Sequence, residues 1–243
     1  MAADKDNIFL YDEALVDFVF NDKVASVFAD MVNRSVPGYG LIVRMISVLA
    51  EKYACKNTRL YDLGCSLGAV TFLLQELKLN NCSIVAVDNS SAMIQRCQES
   101  LKQNKFLDAL PVEFRCEDIQ ETELSNASVV MLNFTLQFIS PERRNNIIKK
   151  IYDGLVPGGI LIISEKIIFT ENEKNSLFID LYHQFKKANG YSDLEISRKR
   201  SALEHVLIPE TIAEHNERIK AAGFTIFEPW FQCFNFASMF AVK

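Results

Sequence analysis

Apolar positions along the chain follow two rhythms. Near the start the spacing is helical: Val24, Val27, Phe28 and Met31 recur on one face behind Asp22, which reads as an N-cap. "SVPGYG" (35–40) breaks that helix, and a second follows at about 41–53. The pattern then changes. "RLYDLG" (59–64) predicts a strand and "GAVTFLLQEL" (68–77) a helix. "SIVAVD" (83–88) is a β-branched buried strand, followed by the helix "SAMIQRCQESLKQ" (91–103). "PVEFRCED" (111–118) and "ASVVMLN" (127–133) predict a third and a fourth strand. Ser140 as cap and Pro141 at the first helical position open a helix with Ile147, Ile148, Ile151 and Leu155 on one face. "GGILIISEK" (158–166) is a fifth strand. Continuous apolar strands alternating with helices predict a parallel sheet covered on both faces.

The alternation pauses over residues 166–209, a helical, charged stretch that reads as an inserted cap. A helix over 210–222 ends at Gly223, and "FTIFEPWFQCFNFASMFAVK" predicts a terminal antiparallel hairpin. The expected fold class is α/β: a doubly wound, mostly parallel seven-stranded sheet of the Rossmann-like methyltransferase type, with a terminal antiparallel hairpin and a helical cap. The 243 residues suit a single domain, 1–243, with 1–57 as a helical extension.

Composition narrows the function. No apolar run approaches the ~20 residues of a membrane span, and "MAADKDNIFLYDEAL" has no apolar core of a signal peptide. Cys55, Cys65, Cys82, Cys97, Cys116 and Cys233 form no C-x-x-C pair, so reduced cytoplasmic thiols are expected, with no metal. A net charge of −5 argues against direct binding of nucleic acid through its phosphates. His183, His205 and His215 share no ligand spacing, and Trp230 belongs with the hairpin core rather than with a base-stacking platform.

The run "LYDLGCSLGAVTFLLQEL" (60–77) carries the candidate chemistry. In a doubly wound sheet, ligands bind beyond the carboxyl ends of the strands. Gly64 and Gly68 let the backbone turn tightly there. Asp88 ends the second strand about twenty residues later, where a carboxylate can accept both hydroxyls of a ribose. Asp118, with Ile119 packing beside it, suits an adenine, and Asn133 ends a strand on the same rim. Two nucleoside ligands fit, a nicotinamide dinucleotide or S-adenosylmethionine. The turn lacks the full G-x-G-x-x-G pattern, and Asp62 would repel a pyrophosphate but suit an ammonium. S-adenosylmethionine is therefore expected. Cys65 has no neighbouring histidine in sequence to make it a nucleophile, so backbone contact is its expected role.

Six segments go further: "SVPGY", "YDLGCSLGA", "DNSSAMIQRC", "NFTLQF", "FKKANGYSDLEISRKRSALE" and "WFQCFNF". Together they resemble the carboxy-S-adenosyl-L-methionine synthase family from about Phe20 to Lys243, and the last three lie outside the general cofactor motif. The resemblance implies that prephenate carboxylates the methyl carbon of S-adenosyl-L-methionine, giving carboxy-S-adenosyl-L-methionine and phenylpyruvate. A separate transferase then uses the product to modify a wobble uridine of tRNA, so the protein itself need not touch RNA. It also implies a homodimer. Carried over by position, Tyr39, Gly64, Cys65, Ser66, Asp88, Asn89, Asp118, Ile119, Asn133 and Arg200 bind the cofactor. Arg200 is the residue that meets the new carboxylate, and no side-chain base is expected. An ordinary small-molecule methyltransferase and a non-catalytic S-adenosylmethionine-binding partner are the rival readings.

Overall fold

The structure is a computed structural model that describes residues 5–11, 18–103 and 109–243. Residues 1–4 and 12–17 of the expected N-terminal extension, and much of the run read for a signal peptide, lie outside the described residues. Two helices, α2 (Asp22–Ser35) and α3 (Tyr39–Tyr53), follow a short turn, α1 (Ile8–Tyr11). Strands β1 (Arg59–Leu63), β2 (Ser83–Asp88), β3 (Val112–Cys116), β4 (Ala127–Asn133) and β5 (Leu155–Lys166) then alternate with α4 (Ala69–Gln75), α5 (Ser91–Gln103) and α6 (Pro141–Gly154). Two cap helices, α7 (Asn172–Ala188) and α8 (Asp193–Leu203), precede α9 (Ile212–Ala222) and the hairpin β6 (Ile226–Cys233) and β7 (Phe236–Val242). The seven strands lie in the order β3-β2-β1-β4-β5-β7-β6. β1 to β5 are parallel, and β7 runs antiparallel to both β5 and β6.

Period-two alternation divides the core. Tyr61, Leu63, Val85, Val87, Val130 and Leu132 point to one face, against Ile147, Ile148 and Ile151 of α6 and Ile219 of α9. Leu60, Ile84, Val129 and Met131 point to the other, against Ile42 and Ile46 of α3 and Val70 and Leu74 of α4. Strands buried on both faces must be apolar throughout, so polar residues collect where the strands end.

Several boundaries differ from the sequence expectation, among them β5, which begins at Leu155, a residue expected on the apolar face of α6. The cap of α2 is Asn21, whose Oδ1 accepts from the Val24 amide at 3.1 Å. Asp22 is instead the first helical residue, where its charge favours the helix N-terminus. Ser140 precedes α6 without a side-chain cap bond, and Pro141 supplies the start. α9 begins at Ile212 because Thr211 and Glu214 form a capping box, and Glu210 is held in ion pairs.

A covering layer forms over the carboxyl ends of the strands. Ile8, Phe9, Phe18, Val24, Val27 and Met31 pack with Met93 and with Ala202 of α8. Polar contacts stitch the same pieces together. The Tyr191 hydroxyl donates to Asp6 Oδ2 at 2.5 Å, Lys199 Nζ donates to Ser35 Oγ at 2.8 Å, and Arg198 Nη1 donates to the carbonyls of Phe9 and Leu10.

A second network holds the loop after β4. The buried Glu165 carboxylate accepts from the amides of Leu136 and Gln137, both at 2.9 Å. Arg144, only 1% exposed, donates to the carbonyls of Gln137, Ile139 and Ile208 and pairs with Glu210 at 2.5 Å. Burial pushes the Glu165 carboxyl up to about 8, against the pull of Arg144 and the two amides. Removing the guanidinium would leave three carbonyls without their donor and Glu210 with Arg218 as its one ion-pair partner among the described residues. Arg144→Met is expected to lower unfolding stability by about 3–5 kcal/mol in urea titrations at neutral pH, with no comparable loss for the exposed Arg143→Met.

Candidate functional site

One cavity of about 660 Å³ lies beyond the carboxyl ends of β1, β2 and β4, within the size range of small-molecule sites. β1 ends at its floor. Gly64 and Gly68 have φ of 83° and 76°, the left-handed region that their lack of a side chain allows. Gly64 has a second constraint, because an added methyl would sit 2.3 Å from Thr135 Oγ1. The loop's backbone amides are already engaged. Gly64 and Cys65 both donate to the Val87 carbonyl, and Ser66 donates to Asp88 Oδ2 at 2.9 Å. Those three amides are therefore not free to cradle a pyrophosphate, which weighs against the dinucleotide reading.

The floor is acidic. Asp62, 2% exposed, accepts from Thr71 Oγ1 at 2.6 Å, and burial raises its carboxyl to about 6. Asp88 takes amide bonds from Ser66 and Ser90, one on each oxygen, and burial raises its pKa despite them. Each oxygen keeps a lone pair for a further donor. Asp118 Oδ1 accepts from the Gln120 amide at 2.8 Å, beside the buried Ile119. Asn133 Oδ1 is buried with no hydrogen-bond partner among the described residues. Burial, and then the neighbouring Asp62, push the Tyr39 phenol well up, so the hydroxyl stays protonated.

The same cavity also has a basic lining. It carries Lys166 from the end of β5, Lys186 from α7, and Lys199 and Arg200 from α8. His183 lies among them, and burial together with Lys186, Lys166 and Arg200 lowers its pKa. Phe18, Phe20, Phe138 and Leu203 also line the cavity, so its charged groups sit among apolar side chains.

All ten sequence-predicted site residues line this one cavity: Tyr39, Gly64, Cys65, Ser66, Asp88, Asn89, Asp118, Ile119, Asn133 and Arg200. Cys65 is buried, and its thiol pKa is raised by a hydrogen bond with Cys97 and by burial, a poor setting for a nucleophile. His183, which shares no ligand spacing with the other histidines in the sequence, also lines the cavity. Lys166 and Lys186 were not singled out at all. Their only sequence signal is position, in "SEK" at a strand end and in the segment "FKKANGYSD". Among the described residues, no group of three or more His, Cys, Asp and Glu side chains is placed to hold a metal ion. No described helix is long and apolar enough to cross a membrane.

Comparison with known proteins places this geometry. A methyltransferase domain family matches residues 60–159. The carboxy-S-adenosyl-L-methionine synthase of Shewanella halifaxensis is 54% identical over 245 residues, covering 100% of both chains. That of Trichlorobacter lovleyi is 56% identical over 230 residues, covering 94% of both. Among solved structures, human N-acetylserotonin methyltransferase in complex with S-adenosylmethionine aligns with a TM-score of 0.60 at 15% identity, over 91% of this chain and 55% of that one. Magnesium protoporphyrin IX methyltransferase from Synechocystis, with bound S-adenosylmethionine, aligns at 0.58 with 12% identity, over 90% and 83%. At such identity the structural likeness establishes the fold alone, that of the class I methyltransferases.

The buried Asp62 gives the site a measurable signature. Its folded pKa lies above the ordinary value of 3.8, so the protonated form favours folding and the charged form opposes it. Its contribution is fully present below about pH 4 and is lost as pH rises through about 6. Asp62→Asn is expected to raise the melting temperature of the ligand-free protein at pH 7.5 and to flatten its change between pH 7 and 5. The same variant is expected to bind S-adenosylmethionine at least about 10-fold more weakly by calorimetry, through loss of a charge-assisted bond to the ammonium.

Proposed function

Since the chain belongs to the carboxy-S-adenosyl-L-methionine synthase family, we propose that it uses prephenate to carboxylate the methyl carbon of S-adenosylmethionine. The enzyme class is that of its relatives, and S-adenosylmethionine is its substrate. The roles of individual residues are our reading. Asp62 receives the ammonium of the amino-acid head, and Asp88 the ribose hydroxyls. Asp118 and Ile119 take the adenine, with Tyr39, Asn89 and Asn133 closing around it. Gly64, Cys65 and Ser66 let the backbone approach.

One observation carries the reading beyond methyl transfer. Arg200 lines the same cavity as Asp62 and Asp88, and it has no carboxylate partner among the described residues. An ordinary methyltransferase gains nothing from a guanidinium near a sulfonium cation. A carboxymethyl sulfonium carries an added anion, which a guanidinium can bind as a fork.

The chemistry balances without a side-chain base. Prephenate aromatises by losing carbon dioxide and its ring hydroxyl as hydroxide. Hydroxide takes one proton from the sulfonium methyl, giving water and an ylide. The ylide carbon attacks carbon dioxide, forming the new carbon–carbon bond. The products are phenylpyruvate, water and carboxy-S-adenosylmethionine. The protein's tasks are then to hold two substrates in contact, exclude bulk water and place charge. The covering layer of Phe18, Val27, Met31 and Ala202 suits the second task.

We further place the chain in the cytoplasm, as a homodimer, supplying a transferase that carboxymethylates a wobble uridine of tRNA. Its acidic balance fits a protein that hands on a small molecule and leaves RNA to its partner. Incubation with both substrates should yield, by mass spectrometry, a species heavier than S-adenosylmethionine by one carbon dioxide, together with phenylpyruvate. Methylated product, or no prephenate-dependent product, would refute the reading. Arg200→Ala should abolish the carboxylated species while S-adenosylmethionine affinity changes by no more than about 3-fold. Equal loss of both would remove Arg200 from its role.

A further inference from the structure

Two ammonium groups lining the cavity have no hydrogen-bond or ion-pair partner among the described residues. Lys199 is held by Ser35, Tyr191 and Asp6. Lys166 and Lys186 also line the cavity, yet among the described residues neither ammonium makes a hydrogen bond or an ion pair. What they share is the Tyr182 ring, with Lys186 Nζ 4.6 Å and Lys166 Nζ 5.4 Å from its centroid. Tyr182 is buried, and Lys186 is 4% exposed. A ring face attracts a cation, but it does not replace the hydrogen bonds that an ammonium leaves behind in water. A buried and a half-buried lysine converging on one ring, and open to a cavity, make a site built for an anion.

We propose that Lys166 and Lys186 form an anion subsite that seats the carboxylate which the carboxyl donor keeps, with the Tyr182 ring as its floor. The assignment rests on the proposed reaction. Prephenate bears two carboxylates of opposite fate. The ring carboxylate must surrender its charge as carbon dioxide leaves, and a fixed cation paired with it would stabilise the ground state against that loss. The side-chain carboxylate persists unchanged into phenylpyruvate, and gripping it anchors substrate and product alike. This leaves Arg200, on α8, for the carboxylate that forms.

Electrostatics agree with the geometry. Burial, with Lys199 and Lys166, lowers the Lys186 ammonium to about 7, against the pull of Asp6. Burial and Arg200 lower Lys166. Tyr182 stays protonated, and His183 is lowered by the same cations. An arriving carboxylate would restore the charge on Lys186, so binding above neutral pH takes up a proton.

Phenylpyruvate is the probe, because it carries the retained carboxylate and does not react. Its affinity for protein loaded with S-adenosylhomocysteine is measured by calorimetry, for wild type, Lys186→Met, Lys166→Met and Lys186→Arg. We expect each methionine variant to weaken phenylpyruvate by about 10-fold or more while S-adenosylhomocysteine affinity stays within about 2-fold, and the arginine to recover most of the loss. Wild type at pH 8 should take up protons on binding, seen as a dependence of heat on buffer ionisation enthalpy, and Lys186→Met should lose that uptake. In turnover, KM for prephenate should rise more than kcat falls. Variants that keep wild-type phenylpyruvate affinity and wild-type KM for prephenate overturn the subsite. Wild-type protein that makes no carboxylated product overturns the reaction itself, and with it the assignment of the donor.

Discussion

Asp62 stands at the end of a strand whose other buried residues are apolar, and holding its charge there sets the terms for everything around it. A parallel sheet covered on both faces leaves no room for charge along its strands. Polar groups are expelled to the carboxyl ends, where β1, β2 and β4 deliver Asp62, Asp88 and Asn133 to one place. Even there Asp62 is desolvated enough to raise its pKa to about 6, with Thr71 its one side-chain donor. A cation beside this carboxylate would offset the cost of its burial. Glu165, further along the same sheet, is raised more, to about 8, although two backbone amides donate to it and the Arg144 charge pulls the other way. Both Glu165 oxygens hold the amides of a loop, while Asp62 faces the cavity. That difference separates scaffold from site.

Elements with a single strong signal were legible in the sequence. Strands Ser83–Asp88 and Ala127–Asn133 and helix Ser91–Gln103 lie where apolar periodicity put them, because β-branched runs and helical stripes leave one option. Boundaries were harder where two adjacent residues compete for one role. Asn21 and Asp22 can both cap a helix, and only the approach of the Val24 amide decides between them. The start of α9 depended on Glu210 being drawn to Arg144 and Arg218, an event of tertiary structure that no local pattern announces.

The acidic half of the site was legible for the same reason the fold was. Strand ends have addresses in a doubly wound sheet, so Asp88 and Asp118 could be placed before any coordinates. The basic half was not. Lys166, Lys186 and Arg200 come from a strand end and two cap helices, and each sits in a charged run that looks solvated. Their convergence depends on how α7 and α8 fold over the sheet, through Tyr191, Asp6 and Ser35. Arg200 entered the reading only through a resemblance, and the two lysines only through the structure.

The two halves together pose an electrostatic problem that the basic wall answers. S-adenosylmethionine brings a sulfonium cation into a closed cavity, and fully charged ammonium groups nearby would oppose its entry. Burial has already reduced that opposition. Lys186 lies at about 7, Lys199 at about 8, and Lys199 is also answered by Asp6. A dianionic donor reverses the balance. In the proposed reaction its retained carboxylate would draw a proton onto Lys186 and be held more tightly for it, while the carboxylate that departs would pair with neither lysine. Carbon dioxide and hydroxide, which bulk water would dilute away, would then be released beside the one methyl group able to use both. The covering layer of α1, α2 and α8 is what such a sequence requires, because an ylide formed in open solvent would be reprotonated before it met carbon dioxide.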